Sequence, residues 1–117
     1  MENVLNKIIG IFESIELPFR RQGTYGENEE YPPTFMTYWN INSPFEDYGD
    51  DSEHSIVHEY MIYLYSLDES ELYSRLDEFI RLAKTQNFIV QGKGQDITCD
   101  DKRYVGRALR IYYRENI

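Results

Sequence analysis

Residues 54–66 read His-Ser-Ile-Val-His-Glu-Tyr-Met-Ile-Tyr-Leu-Tyr-Ser, and this stretch decides the fold. It contains no glycine or proline and is rich in β-branched and aromatic residues, which predicts a β-strand. Alternation places Ile56, His58, Tyr60, Ile62 and Leu64 on one face, and Ser55, Val57, Glu59, Met61, Tyr63 and Tyr65 on the other. Both faces are largely apolar, so both need a cover.

The predicted length of this strand exceeds the expected width of the domain. Thirteen extended residues span about 43 Å, whereas a compact domain of 117 residues is about 35 Å across. We therefore expect the strand to project from the domain, with a neighbouring subunit covering its second face. The alternative is a bulge near Ser55 and Ile56 that shortens the strand, with the helices covering both faces.

Two amphipathic helices flank the β-rich regions. Residues 68–86 begin with Asp68, which can cap the free amides of a first turn, and Glu71 follows at the reciprocal position of a capping box. The apolar stripe of this helix comprises Leu72, Tyr73, Leu76, Phe79, Ile80 and Ala83. A second helix is predicted for residues 2–16, because apolar residues recur there at helical spacing up to Leu17-Pro18.

Further strands are predicted at residues 34–39 and 103–114. Gly92-Lys93-Gly94 predicts a hairpin turn between residues 88–90 and 97–99. The sequence thus predicts a single α+β domain over residues 1–117. Its mostly antiparallel β-sheet would pack against two α-helices, in the order α-β-β-α-β-β.

Composition narrows the classes of protein to consider. No apolar run reaches membrane-spanning length, and the first residues lack the pattern of a secretory signal, so we expect a cytoplasmic protein with no membrane partner. Cys99 is the one cysteine, which agrees with a reducing compartment. The net charge of −9 disfavours general nucleic-acid binding, because phosphate contacts need a positive surface.

The charge is unevenly distributed along the chain. Residues 27–53 contain eight acids and no base, including Asp50 and Asp51, whereas residues 102–117 contain five bases and one acid. Arg110 and Arg114 share one face of the last strand, and the opposite face, with Val105, Leu109 and Ile111, is the predicted core face. One interpretation is a polarised subunit, and the other is two ordinary solvated faces.

The sequence offers only weak evidence for a catalytic or metal-binding site. His54 and His58 would lie about 13 Å apart on a strand, too far to share one metal ion. The acidic residues 47–53 lack the ligand spacing of a calcium loop. Neither histidine is placed by sequence to activate Cys99 as a nucleophile. We therefore predict no catalytic residue, no cofactor and no metal.

Five segments together resemble a known family of phage structural proteins. They are Tyr31–Trp39, His58–Ser66, the capped helix 68–86, Gly92–Asp96 and Val105–Tyr113. In size, element order and the pattern of prolines followed by an aromatic strand, the chain resembles the tail-terminator and tail-completion proteins of long-tailed phages and prophages. The resemblance implies a non-enzymatic subunit, made in the bacterial cytoplasm and incorporated into the virion tail. It would form a ring, commonly a hexamer, on the head-proximal end of the tail tube, with tail-tube and head-connector proteins as partners.

The expected subunit interface combines both kinds of surface. We predict that Met61, Tyr63 and Tyr65 provide an aromatic face, and that Arg110 and Arg114 of one subunit meet Asp50 and Asp51 of the next. A second hypothesis, from a different class, is a monomeric acidic inhibitor or adaptor from a phage or plasmid. It would present residues 27–53 to a basic partner, and its size in solution would stay near 14 kDa.

Overall fold

A computed structural model describes residues 3–26, 29–42, 45–47 and 53–116 of the chain, without the side chains of residues 42, 45–47, 53 and 54. The elements follow one another as α1 (Val4–Ser14), β1 (Phe19–Arg21), β2 (Thr34–Asn42), β3 (Phe45–Asp47), β4 (Glu53–Ser66), α2 (Glu69–Thr85), β5 (Ile89–Val90), β6 (Gln95–Ile97) and β7 (Val105–Asn116). The architecture is α+β, with two helices and one mixed seven-stranded sheet.

Both predicted helices are confirmed, and each begins at a side-chain cap. The Asp68 carboxylate accepts hydrogen bonds from the amides of Ser70 and Glu71 at the start of α2. The Asn3 side chain accepts from the amide of Asn6 at the start of α1. Within α2, Arg75 Nε donates to Glu71 Oε1 over 2.7 Å, an ion pair four residues apart on the helix surface.

The sheet has the strand order β1-β2-β4-β7-β5, with β3 paired to β4 and β6 paired to β7. β1 runs parallel to β2, and the other pairings are antiparallel. The predicted element order is therefore wrong, because four strands lie between the helices and three follow α2. β1 and β3 were not predicted, because each has only three residues, too few to show a period of two.

The predicted hairpin at residues 92–94 is also wrong. β5 and β6 both pair with β7 and run in the same direction, so the chain does not reverse there. Residues 91–94 form a bulge along one interrupted edge strand. Gly94 has a φ of +77°, and a Cβ on it would lie 2.0 Å from the carbonyl oxygen of Ala108. Gly94 is therefore needed for close approach to β7, rather than for a reversal.

The long central strand is confirmed. β4 pairs with β7 in unbroken register from Ser55 to Ser66, so no bulge shortens it along this edge. Register shifts occur along the other edge of β4. β2 has an extra residue between Asn40 and Asn42, whereas β4 itself has one at position 54, between the partners of Glu46 and Asp47 of β3. The molecule measures 52 × 28 × 25 Å, so it is elongated, as the length of β4 predicts.

The main core lies between the helices and one face of the sheet, the helix face. The buried residues of this core come from both helices and from β2, β4 and β7, and include Ile8, Phe12, Met36, Ile62, Leu64, Leu76, Phe79, Leu109 and Ile111. The predicted core face of the last strand is confirmed by Leu109 and Ile111. Among the described residues, no helix packs on the opposite face of the sheet, which we call the outer face.

Candidate interaction surface

The outer face of the sheet is built by alternate residues of three long strands. Phe35, Tyr65 and Gly106 lie side by side at one end, where β2 and β7 begin and β4 ends. Trp39, Met61 and Arg110 lie side by side further along the same strands. We call the first region the covered half and the second, together with Tyr112 and Arg114, the open half.

An aromatic cluster closes the covered half. It comprises Tyr25, Tyr31, Phe35, Tyr65 and Tyr104, with Cys99 packed among them. The Phe35 ring stacks on Tyr65, with centroids 5.0 Å apart, and on Tyr31, with centroids 4.9 Å apart. Tyr25 and Tyr31 come from the segment between β1 and β2, and Tyr104 comes from the turn between β6 and β7. Two distant loops therefore form a second, smaller core on the outer face.

Hydrogen bonds fasten these two loops together. The Tyr31 hydroxyl donates to both carboxylate oxygens of Asp100, at 2.8 and 2.9 Å. The Tyr104 hydroxyl lies 2.9 Å from the carbonyl oxygens of Tyr31 and Pro32, to which it donates. The bond to Asp100 raises the pKa of Tyr31 to about 12, and burial raises the pKa of Tyr65 to about 12. Both phenols are therefore neutral at physiological pH.

Gly106 provides the space that the Tyr65 ring needs. A Cβ on Gly106 would lie 3.0 Å from Cδ1 of Tyr65 and 2.9 Å from Cγ1 of Ile97. Gly106 is the register partner of Tyr65 on β7, so the ring lies against a residue without a side chain. Tyr65 is consequently only 8% exposed, and its own chain covers it. Little of the Tyr65 surface is therefore left for the predicted subunit interface, and its role there stays a prediction.

The open half has no such cover among the described residues. Trp39 is 44% exposed, Met61, Tyr63 and Tyr112 are half-buried, and Ile89 on the adjacent edge strand is exposed. Tyr63 lies at the boundary of the two halves, because it packs against the aromatic cluster. A hollow of about 380 Å³ is lined by Met61, Ala108 and Arg110 together with the bulge at 91–95. The structure therefore keeps Met61 and Tyr63 accessible to a partner.

The predicted arginines lie on this open half. Arg110 is the register partner of Met61, and Arg114 that of Val57, so both side chains belong to the outer face. Arg110 Nε lies 3.1 Å from Glu59 Oε2, while half of the Arg110 side chain stays exposed. Arg114 is exposed. Asp50 and Asp51, their predicted partners, lie outside the described residues.

A groove with tyrosine walls lies beyond the covered half, at the end of the sheet away from Arg114. We call it the tyrosine groove; its volume is about 680 Å³. Its apolar lining includes Tyr25, Tyr31, Pro33, Leu67 and Tyr104, and its charged lining comprises Glu29, Glu30, Asp100, Asp101 and Arg103. A hydrogen bond from Arg20 lowers the pKa of Glu29 below its usual range. Tyr31 does the same for the pKa of Asp100, and Arg103 for that of Asp101. Those three carboxylates are therefore ionised at neutral pH.

The histidines and the cysteine form no recognisable catalytic arrangement among the described residues. His58 Nε2 lies 3.0 Å from Glu115 Oε1, and the side chain of His54 is outside the described set. Burial raises the pKa of Cys99, whose thiol lies 3.4 Å from Asp100 Oδ1, so the thiolate is disfavoured. Within residues 3–26, 29–42, 45–47 and 53–116, no group of three or more acidic, histidine or cysteine side chains could hold a metal ion.

The sequence matches no protein-family model and no curated protein. Neither α1 nor α2, the helices of the described chain, combines the length and apolar character that crossing a membrane requires. The basis for a functional proposal is therefore the outer face, with its open half and its tyrosine groove.

Proposed function

We propose that this protein is a virion structural subunit of a phage or prophage, namely a tail-terminator or tail-completion protein. Its copies form a ring, with a hexamer as the expected size, at the head-proximal end of the tail tube. The ring joins the tube to the head connector, and the subunit catalyses no reaction. Assembly takes place in the host cytoplasm before the subunit becomes part of the tail. The observation that carries the proposal is the open half of the outer face.

The composition of the open half supports an assembly role. Trp39, Met61 and Tyr112 are large, partly exposed apolar side chains on adjacent strands, and Arg110 lies beside them. Aromatic residues, methionine and arginine are the residues enriched at protein interfaces. A continuous surface of this kind on an isolated monomer would favour aggregation, so a permanent partner explains it better than solvent does.

The elongated shape supports a ring in particular. A ring forms when one surface of a subunit contacts a different surface of the next and the rotation closes. The open half and the tyrosine groove lie toward opposite ends of a molecule 52 Å long, so each subunit has two distinct surfaces for two neighbours. The resemblance to phage tail terminators in size, and in the prolines followed by the aromatic strand at Tyr31–Trp39, supplies the biological setting of this ring.

Self-association is the first test. We expect the mass of the wild-type particle, measured by light scattering over a concentration series, to exceed 14 kDa and to approach that of a ring. Trp39 is the only tryptophan of the chain and lies on the open half, so its fluorescence reports on that surface directly. Its emission should shift to shorter wavelength and become less accessible to a soluble quencher as assembly proceeds.

A pair of tyrosine substitutions makes the test specific to the open half. Tyr63→Glu should weaken self-association about tenfold or more, because it places a charge in the apolar contact. The matched control is Tyr73→Glu, at an exposed tyrosine on α2 and away from the outer face, which should leave association unchanged. A wild-type protein that stays monomeric at high concentration and does not bind purified tail tubes would contradict the proposal. That result would favour the acidic inhibitor or adaptor instead.

A further inference from the structure

We propose that the tyrosine groove is the receiving surface for the neighbouring subunit, and that it binds Arg110 and Arg114 of a second copy of this chain. The inference rests on the proposed function, since it names the surface that meets the open half during assembly. It places the acidic counterpart of the arginines on Glu29, Glu30, Asp100 and Asp101, instead of on Asp50 and Asp51.

The chemistry of the groove fits a guanidinium group on an aliphatic stem. Tyr31, Tyr104 and Leu67 offer apolar and aromatic surface, and four carboxylates against one guanidinium make the described lining negative. Arginine can place its methylene groups on such apolar surface while its planar head stacks on a ring and bonds a carboxylate. A bare acidic surface would attract any cation, but this combination favours arginine.

The chain already contains one example of this contact at the wall of the groove. The Arg20 guanidinium carbon lies 4.4 Å from the ring centroid of Tyr25, and Arg20 Nη1 donates to Glu29 Oε1 over 2.8 Å. A guanidinium therefore lies between a tyrosine ring and a carboxylate within the subunit itself. Tyr31 and Tyr104, with the exposed Glu30 nearby, offer the same kinds of group to an arginine from outside, and Asp101, which Arg103 already binds at 2.7 Å, adds negative charge beside them.

The sheet register places the two surfaces so that a head-to-tail contact is possible. The groove end is marked by Ser66, which pairs with both Thr34 and Val105. The opposite end is marked by the pairing of Ser55 with Asn116. Arg110 and Arg114 lie toward that opposite end, on an exposed face. Because the basic face and the acidic groove are separated along the long axis, the two surfaces cannot meet within one subunit, whereas in a row of copies the basic face of one can meet the groove of the next.

The experiment uses two charge-reversal variants of the full chain. One variant is Arg110→Glu with Arg114→Glu, and the other is Glu30→Arg with Asp101→Arg. For each variant alone, the dissociation constant of self-association should rise about tenfold or more, because like charges then meet at every contact. An equimolar mixture should assemble again, since the acidic strand of the first variant meets the basic groove of the second, and the unchanged arginines meet the unchanged carboxylates. Association of the wild type should weaken as salt is added.

Matched controls separate this contact from a general effect of charge. Glu13→Arg with Glu16→Arg makes the same change in net charge at two exposed positions on and just after α1, and should leave assembly unchanged. Circular dichroism shows whether each variant is folded. If the Asp101 substitution unfolds the chain, Glu30→Arg alone is used, because Glu30 is exposed; it should weaken association in the same direction by a smaller factor.

Two results would overturn the inference while leaving the proposed function intact. The first is a Glu30→Arg, Asp101→Arg protein that assembles like the wild type. The second is a mixture of the two variants that stays dissociated, while the arginine variant assembles with Asp50→Lys, Asp51→Lys protein. Assembly of that pair would assign the acidic counterpart to the segment between β3 and β4. A wild type that never assembles and binds no tail tube contradicts the proposed function itself.

Discussion

The two halves of the outer face are made by the same strands, yet one is a core and the other a surface. Phe35 and Trp39 lie four residues apart on the same face of β2, and they are 2% and 44% exposed. The strands themselves do not cause this difference. The loops that carry Tyr31 and Tyr104 close over Phe35, while no described segment closes over Trp39. Alternation of apolar residues therefore identifies a face that needs a cover, but it does not identify what covers it.

The largest expected difference between the halves is in the cost of removing an aromatic ring. Phe35→Ala should lower the free energy of unfolding by about 3–5 kcal/mol, because the ring is fully buried and leaves a cavity. Trp39→Ala should cost about 1 kcal/mol or less, since it removes a partly exposed ring and the contact with Arg21, whose guanidinium carbon lies 5.1 Å from the ring. Denaturant unfolding measures both values. Equal losses would mean that the open half is packed as tightly as the covered half.

A second difference concerns the space under Tyr65. Gly106→Ala should lower the free energy of unfolding by about 1–3 kcal/mol, because the new methyl group meets Tyr65 and Ile97 in the covered half. The control is Gly10→Ala on α1, where a Cβ meets no atom within 4 Å. It should raise stability by about 0.5–1 kcal/mol through helix propensity. A neutral Gly106→Ala would show that the Tyr65 ring can move aside.

A smaller difference should appear at high pH. The folded protein raises the pKa of Tyr31 and Tyr65 to about 12, above the value near 10 of an unfolded tyrosine. Their neutral forms therefore contribute stability that is fully present below about pH 10 and is lost as the pH rises toward about 12. The free energy of unfolding, measured at steps across this range, should fall with pH. Tyr65→Phe should make this fall with pH less steep. An unchanged pH dependence would mean that the folded protein does not raise the pKa of Tyr65.

The smallest effect is expected from the ion pair on the open half. Glu59→Gln removes the carboxylate charge facing Arg110 and should change the free energy of unfolding by about 0–1 kcal/mol, because the pair is partly exposed. Thermal unfolding at low and high salt measures it. A loss well above this range would mean that the pair is structural, and that Arg110 is less available to a neighbouring subunit than we propose.

The elements predicted correctly from the sequence are those long enough to show a regular spacing of apolar residues. Both helices, the β4 strand and the core face of β7 were predicted from apolar spacing and from the Asp68 cap, and the structure confirms them. The same alternation placed Met61, Arg110 and Arg114 on the outer face. The predicted contact of these residues with another subunit stays a prediction, and so does the role of Asp50 and Asp51.

Four features could not be read from local patterns. The parallel β1 has three residues, and the glycines at 92 and 94 fit a hairpin or a bulge equally well by composition. The burial of Tyr65 depends on side chains far away in the sequence. The tyrosine groove was missed for the same reason, although the spacing of Tyr25 and Tyr31 near acidic residues is visible in the sequence and gave the one available signal.

The sequence by itself thus determined which faces of this chain are apolar, where the helices begin, and which side of β7 carries its arginines, because these properties depend on neighbours within a few residues. Only the tertiary structure decided which half of the outer face is covered. The Tyr31 hydroxyl bonds Asp100 across 69 positions of the chain, and the Tyr104 hydroxyl reaches back 73 positions to Tyr31. Such contacts form only when the whole sheet brings the two loops together, so no local pattern encodes them.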